Sequence, residues 1–375
     1  MRNVFLIFKS IRIDTFSFFK EEKTAAILLV IVIAVYSAVF VSRLGKEEKK
    51  PSKAMQQIQL AEEKLEEKQE ARELQSFIME KAGPFEVFLI VFIPVLLILM
   101  IVGGVLLDGF LAKGFFQGKE MIHPLITGPP AVSWGVRDLV KTVIYVFFAA
   151  IIISLFLGGI QGFLSGNKEN FENVFIIFHT VILDVMVLFI IFHQVARKFK
   201  DELSSLGLRF SEWWKDIQIG AAGYVAALPI FVFVLLALLF IAEFIGYEPP
   251  AHPLVEIFVE EDYKNPALIY LSIFLACTAG PIIEEIFFRG FCYPAFKKKW
   301  GVAPAMVLSA GLFALIHQSL FAFLPIFVLG LAFAFVYEKR KSLLPSIVMH
   351  IIHNTIFIGY FFILKRAVLD RLVQS

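Results

Sequence analysis

Three clusters of polar residues in the last third of the sequence have the types and spacing that hydrolytic chemistry requires. In chain order the clusters are Glu284 with Glu285 and Arg289, Phe313 with His317, and His350 with Asn354. A glutamate can take a proton from water, and imidazole or carboxamide groups can donate hydrogen bonds to an oxyanion. All three clusters lie in apolar stretches, where an ionisable group is costly unless it faces a cavity or a partner. Each cluster is therefore a candidate for function.

The first cluster contains two adjacent glutamates whose side chains cannot bind the same partner. Adjacent residues on a helix point about 100° apart, whereas Glu285 and Arg289 are one turn apart and can pair in the favourable order. This pairing would neutralise Glu285 and leave Glu284 free to point elsewhere. Gly280 and Pro281, which come just before, favour a kink or a helix start that brings freed backbone groups and water to that depth.

The three clusters allow two versions of water activation. In the first, Glu284 accepts the proton of the attacking water while a histidine and Asn354 stabilise the oxyanion. In the second, His317, His350 and a carboxylate such as Glu284 hold a divalent metal ion, for example zinc, that lowers the pKa of bound water. The sequence has no HExxH or similar two-histidine motif, which favours the metal-free version. A buried structural triad of Glu284, Glu285 and Arg289 is the non-catalytic alternative.

Two further polar residues fall within apolar stretches. Asp184 belongs to an upstream segment, where a proton path and a pair with a neighbouring helix are both open. His353 is one residue before Asn354, and its ring is rotated away from that of His350 on the same helix. We expect His353 to support or pack against the site.

The composition identifies the elements that must position these residues. Of the 375 residues, 58% are hydrophobic and only 18% are charged, whereas soluble domains have about 25% charged residues. The apolar residues form runs of about twenty, which predict an all-α, polytopic transmembrane bundle of eight or nine spans. This composition excludes a soluble enzyme, and the lack of alternation excludes a transmembrane barrel. The net charge of +2 gives no field that attracts nucleic acid.

The apolar runs also define the expected domain organisation. The nine candidate spans are 24–41, 85–107, 140–159, 173–192, 219–243, 266–284, 303–317, 322–337 and 346–364. We expect five regions: an N-terminal segment with an uncleaved anchor span (1–41), a charged helical loop (42–84), an N-terminal membrane bundle (85–265), a catalytic membrane core (266–364) and a tail (365–375).

Lysine and arginine residues between the spans indicate the orientation. They are concentrated in the loops that become internal when the N-terminus is cytoplasmic, which predicts an inner-membrane protein with its site toward the cytoplasm. The nine Lys and Arg residues of the charged loop, 42–84, oppose this assignment, although nine Glu residues neutralise them. The many opposite charges four residues apart predict a solvated helix there rather than a coiled coil.

The order and spacing of the three clusters resemble a known family signature. EExxxR at Glu284 to Arg289, FxxxH at Phe313 to His317 and HxxxN at His350 to Asn354 are similar to the motifs of the CPBP family of intramembrane proteases. This family, also called the ABI or CAAX amino-terminal protease family, includes the Ras-converting CAAX endopeptidase. The resemblance covers residues from about 266 to 364 and implies an all-helical intramembrane protease.

The resemblance implies a role for each matching residue. By position, Glu284 corresponds to the catalytic base, Glu285 and Arg289 to its supporting pair, and Asn354 to the oxyanion donor. His317 and His350 correspond to the site histidines.

The sequence thus predicts an intramembrane endopeptidase acting on a membrane-anchored or lipid-linked peptide or protein. Its partners would be the lipid bilayer and this substrate, with no nucleic acid and no certain cofactor. A membrane transporter and a non-enzymatic adaptor of the immunity type are the alternatives, and the substrate and oligomeric state stay open.

Overall fold

The computed structural model describes residues 21–44, 84–117, 132–164, 172–247 and 266–372, together with 122 and 124. Most of the predicted charged loop, 42–84, lies outside these ranges. The helices are α1 Lys23–Leu44, α2 Pro84–Phe116, α3 Val136–Leu164, α4 Glu172–His193, α5 Trp213–Ile245, α6 Pro266–Phe274, α7 Gly280–Glu285, α8 Tyr293–Trp300, α9 Val302–Leu315, α10 Leu320–Arg340 and α11 Leu344–Leu372. No strand occurs within the described ranges.

The predicted all-α polytopic class is confirmed. Seven apolar segments of the described chain are long enough to cross a membrane, and two shorter apolar helices accompany them. All nine overlap the spans that the sequence predicts. Large side chains such as Leu106, Phe233 and Phe240 are exposed on helix surfaces, which suits contact with lipid rather than water. The chain is a multi-pass integral membrane protein.

The chain divides into two compact units. The first comprises Met1–Val32 and Ile101–Asn354, as far as they are described, and the second comprises Ile33–Met100 and Thr355–Ser375. All of the predicted site residues belong to the first unit. The region boundaries predicted from the sequence stay predictions.

The sixth predicted span, 266–284, is longer than the sequence suggested. It continues as one apolar segment to Trp300, through α6, α7 and α8 and two π-helical turns, Leu275–Ala279 and Ile286–Cys292. The segment continues because Glu285 and Arg289 neutralise each other inside the bundle.

Side chains of other helices and loops also bind backbone carbonyls of the second π-helical turn, including that of Phe288, which already accepts the Tyr293 N–H. The Ser309 hydroxyl of α9 donates to the carbonyl of Phe288 at 2.9 Å. The indole N–H of Trp134, just before α3, donates to the carbonyl of Phe291 at 2.9 Å, and its ring stacks on the Phe291 ring. These bonds supply the partners that backbone groups require in a buried, apolar environment.

A polar cluster ties the start of α5 to the end of α10. Arg340 binds Asp216 at 2.5 Å and Glu212 at 2.6 Å, and the Ser342 hydroxyl donates to Asp216 at 2.8 Å. Hydrogen bonds from Lys215 and Arg340 lower the pKa of Glu212, which lies outside the spans, to about 2. These contacts fix the helix that precedes α11, and α11 carries two of the predicted site residues.

We expect Trp134→Phe to destabilise the protein by about 1–3 kcal/mol, because the buried Phe291 carbonyl would lose its donor. Thermal unfolding in detergent would measure this. Trp300→Phe is the matched control, since the buried Trp300 Nε1 has no hydrogen-bond partner among the described residues. Equal destabilisation by both substitutions would contradict the role of the Trp134 hydrogen bond.

Candidate active site

A fully buried ion pair lies at the centre of the candidate site. Arg289 Nη1 donates to Glu285 Oε1 at 2.6 Å, and neither side chain has any exposed surface. The two residues are one turn apart, as the sequence predicts. Two charges in a buried apolar environment need additional partners to offset their lost hydration.

Arg289 finds these partners on two other helices. Its Nη2 donates to the carbonyl of Gly330 on α10 at 3.0 Å. The guanidinium also lies over the rings of Phe313 on α9, at 4.5 Å, and Phe333 on α10, at 5.2 Å. Cation–π contacts of this kind strengthen when water is excluded. The arginine therefore connects its own segment to α9 and α10.

His350 of α11 lies between the two glutamates. Its Nδ1 is 3.2 Å from Glu285 Oε1, and its Nε2 is 3.7 Å from Glu284 Oε2. Because a carboxylate oxygen accepts hydrogen bonds, Nδ1 is the nitrogen that donates to Glu285. The imidazole packs edge-on against Phe313 and also contacts Phe333. His350 is thus buried and oriented from several sides.

Glu284 and Glu285 have different surroundings although they are adjacent. Glu285 is wholly buried and bound by Arg289, whereas the Glu284 side chain keeps 31% of its surface exposed. The nearest basic group to Glu284 is the His350 imidazole. Glu284 is therefore the carboxylate of this pair that a water molecule or a substrate can reach.

His317 lies at the end of α9, where its Nδ1 is 2.8 Å from the carbonyl of Phe313. A carbonyl only accepts, so Nδ1 carries the proton and Nε2 faces away with its lone pair in the neutral ring. The Phe313 ring contacts both the His317 ring, at 5.1 Å between centroids, and the His350 ring, at 5.5 Å. Phe313 thereby contacts both histidine rings.

Asn354 is one turn beyond His350 on α11. Its Nδ2 donates to the carbonyl of Ala276, in the π-helical turn before α7, at 2.7 Å. One of its two amide hydrogens is therefore committed to a backbone carbonyl. The other is available to a ligand, so the predicted oxyanion role stays a prediction.

The predicted metal alternative does not fit the arrangement. Among the described residues, no group of three or more His, Cys, Asp or Glu side chains could hold a metal ion. Glu284, His317 and His350 therefore do not form a ligand set together. No step of the mechanism below uses a metal.

The sequence did not reveal several groups that complete the site. Phe333 and the Gly330 carbonyl belong to no motif and contact the site only because α10 packs against α9. Asp184, which the sequence does mark as an intramembrane acid, lies close enough to Glu284 for their charges to interact. His353 packs against Tyr224 and Phe231 of α5, as expected for a supporting residue.

The fold and this cluster together define a class: a multi-pass helical membrane protein with a buried polar site of two glutamates, an arginine and histidines. Comparison with known proteins shows what the last third of the chain is similar to. Residues 266–356 match the model of the Rce1-like family, described as type II CAAX prenyl endopeptidase Rce1-like. The resemblance predicted from the three motifs is confirmed over this part of the chain.

One curated relative resembles the same part of the chain. The protein named "Putative membrane peptidase YdiL" from Bacillus subtilis (strain 168) is 33% identical over 85 residues. The aligned stretch covers 23% of this chain and 35% of the relative's length, so the two are similar over about a third of that protein. No solved structure matches the chain.

We expect Arg289→Met to lower the free energy of unfolding by about 3–5 kcal/mol, because the Glu285 charge would be left buried without its partner. The double substitution Glu285→Met with Arg289→Met removes both charges and should recover most of that loss. Thermal unfolding of the three proteins in one detergent would measure both effects. A double variant less stable than Arg289→Met would show that the pair does not act as a unit.

Proposed function

We propose that this protein is an intramembrane endopeptidase that cleaves a membrane-anchored or lipid-linked substrate. The single observation that carries the proposal is the asymmetry of the two glutamates. The buried Glu285 is bound by Arg289 in an ion pair. The adjacent Glu284 is accessible, and its Oε2 lies 3.7 Å from His350 Nε2. A free carboxylate beside an oriented imidazole is the combination needed to activate water and move its proton.

In the proposed reaction, Glu284 takes a proton from a water molecule as its oxygen attacks the carbonyl carbon of the scissile peptide bond. The carbonyl π electrons move to its oxygen and form a tetrahedral oxyanion. When the intermediate collapses, the carbon–nitrogen bond breaks and the proton held at Glu284 passes to the leaving amine. Each step conserves atoms and charge without another reactant.

In this proposal, three groups stabilise the oxyanion. The second N–H of Asn354 can donate to it while the first stays on Ala276. His317 Nδ1 donates a hydrogen bond to the Phe313 carbonyl, and His350 Nδ1 donates one to Glu285. An imidazole protonated on both nitrogens could keep that bond and donate to the oxyanion through Nε2. Glu285 and Arg289 would act by orienting His350 and the helix that carries Glu284.

The surroundings of the site support a substrate held in the membrane. All the candidate residues except His317 belong to apolar segments long enough to span a bilayer, and residues 266–356 match a family described as type II CAAX prenyl endopeptidase Rce1-like. We therefore infer that a lipid-linked peptide, such as one carrying a prenylated CAAX end, is the first substrate to test. An inner-membrane location with the site toward the cytoplasm is part of the same proposal.

We expect Glu284→Gln to reduce cleavage of a prenylated CAAX peptide in proteoliposomes by at least about 1,000-fold, because the amide cannot accept the water proton. Mass spectrometry of the products would measure both rate and cleavage position. The matched control is Glu243→Gln. Glu243 is an exposed glutamate of another span, α5, so this substitution should leave cleavage unchanged.

Full activity of Glu284→Gln would remove this residue from the mechanism. Absence of cleavage by the unmodified protein, combined with ion or proton flux across the same proteoliposomes, would instead support the transporter alternative.

A further inference from the structure

The regular hydrogen bonding of the helical segment that carries Glu284 is broken one turn before this residue. In the π-helical turn Leu275–Ala279, the Gly280 N–H donates to the carbonyl of Leu275, five residues back. A Cβ at position 280 would lie 2.9 Å from that carbonyl oxygen, so glycine suits this position. The next residue, Pro281, has no N–H to donate.

The break leaves the carbonyl of Ala276 without a donor from its own helix. In an α-helix its donor would be the Gly280 N–H, which is already bound to Leu275. In a π-helix its donor would be the N–H of residue 281, which proline lacks. A buried carbonyl with no partner is costly, particularly where no bulk water is present.

Asn354 supplies the missing donor from another helix. Its Nδ2 lies 2.7 Å from the Ala276 oxygen, at the short end of the range for such bonds. The same helix, α11, also contacts the far side of this segment, because His350 lies against Glu284 and Glu285. Two residues one turn apart on α11 thus hold both ends of the stretch from Ala276 to Glu285.

We propose that Asn354 is a positioning residue that replaces the N–H absent from Pro281, and so fixes the helix break that aims the Glu284 carboxylate. This role is distinct from donation to an oxyanion, which would use the second N–H of the same amide. Its effect on catalysis rests on the proposed function, whereas its effect on the structure does not. Only one turn, from Gly280 to Glu284, separates the break from the carboxylate.

The proposal predicts rescue by restoring the backbone donor. We expect Asn354→Ala to lower kcat about 100-fold, the effect of displacing a reactive group by about 1 Å. Adding Pro281→Ala provides an N–H at position 281 that can donate to Ala276, and should recover at least about tenfold of that loss. The recovery should appear in kcat rather than KM. It stays incomplete because the second N–H of Asn354 is still missing.

Matched substitutions separate this rescue from a general strengthening of helices. Pro229 lies within α5, away from the break, so Pro229→Ala with Asn354→Ala should be no more active than Asn354→Ala. Thermal unfolding in detergent provides a readout that needs no substrate. Asn354→Ala should lower the unfolding temperature, and Pro281→Ala, but not Pro229→Ala, should restore it.

The outcomes distinguish this proposal from the proposed function. Rescue of unfolding temperature in a protein that cleaves nothing would support the positioning role and reject the protease. An active protein in which Pro281→Ala rescues neither stability nor kcat of Asn354→Ala would overturn the positioning role and leave the protease intact.

Discussion

The site depends on one constraint: two opposite charges, Glu285 and Arg289, lie side by side where neither water nor lipid headgroups can reach them. Such a pair is costly unless the protein supplies further contacts that offset its lost hydration. The surrounding helices supply the Gly330 carbonyl, two aromatic rings and the His350 imidazole, while Glu285 Oε2 and Arg289 Nε have no hydrogen-bond partner among the described residues. The same contacts that stabilise the pair thereby fix the geometry of the site.

A second constraint acts on the backbone. A helix within lipid normally satisfies its own N–H and C=O groups, and each departure from regular hydrogen bonding must be compensated locally. The segment from Pro266 to Trp300 departs twice, and each time side chains from elsewhere bind a backbone carbonyl of the irregular stretch. Glu284 and Glu285 lie between these two π-helical turns. Irregular backbone is thus concentrated where the chemistry is proposed to occur, a common position for π-helical turns.

Much of the arrangement follows from local pattern in the sequence. The apolar runs predicted the positions of the spans because a lipid environment leaves few alternatives to the helix. The spacing of Glu285 and Arg289 predicted their pairing, because residues four apart share a helix face. The order of the three motifs predicted the family resemblance, which the match over 266–356 confirms.

The rest depends on contacts between distant segments. No pattern marks the Gly330 carbonyl as a ligand of Arg289 or connects Trp134 to Phe291 across 157 positions. The sequence predicted a kink or a helix start at Gly280 and Pro281. It could not show that Asn354 donates a hydrogen bond to the Ala276 carbonyl there, because this contact depends on how α11 packs. The span predicted to end at residue 284 also continues to Trp300, with the Glu285–Arg289 pair buried inside it.

The central claim is that the bundle makes two adjacent glutamates chemically unequal. Labelling with a carbodiimide that modifies accessible carboxyl groups in membranes, followed by peptide mapping, tests this most directly. We expect an adduct at Glu284 and none at Glu285, which Arg289 and full burial protect. Equal labelling of both glutamates, or labelling of Glu285 alone, would contradict the account.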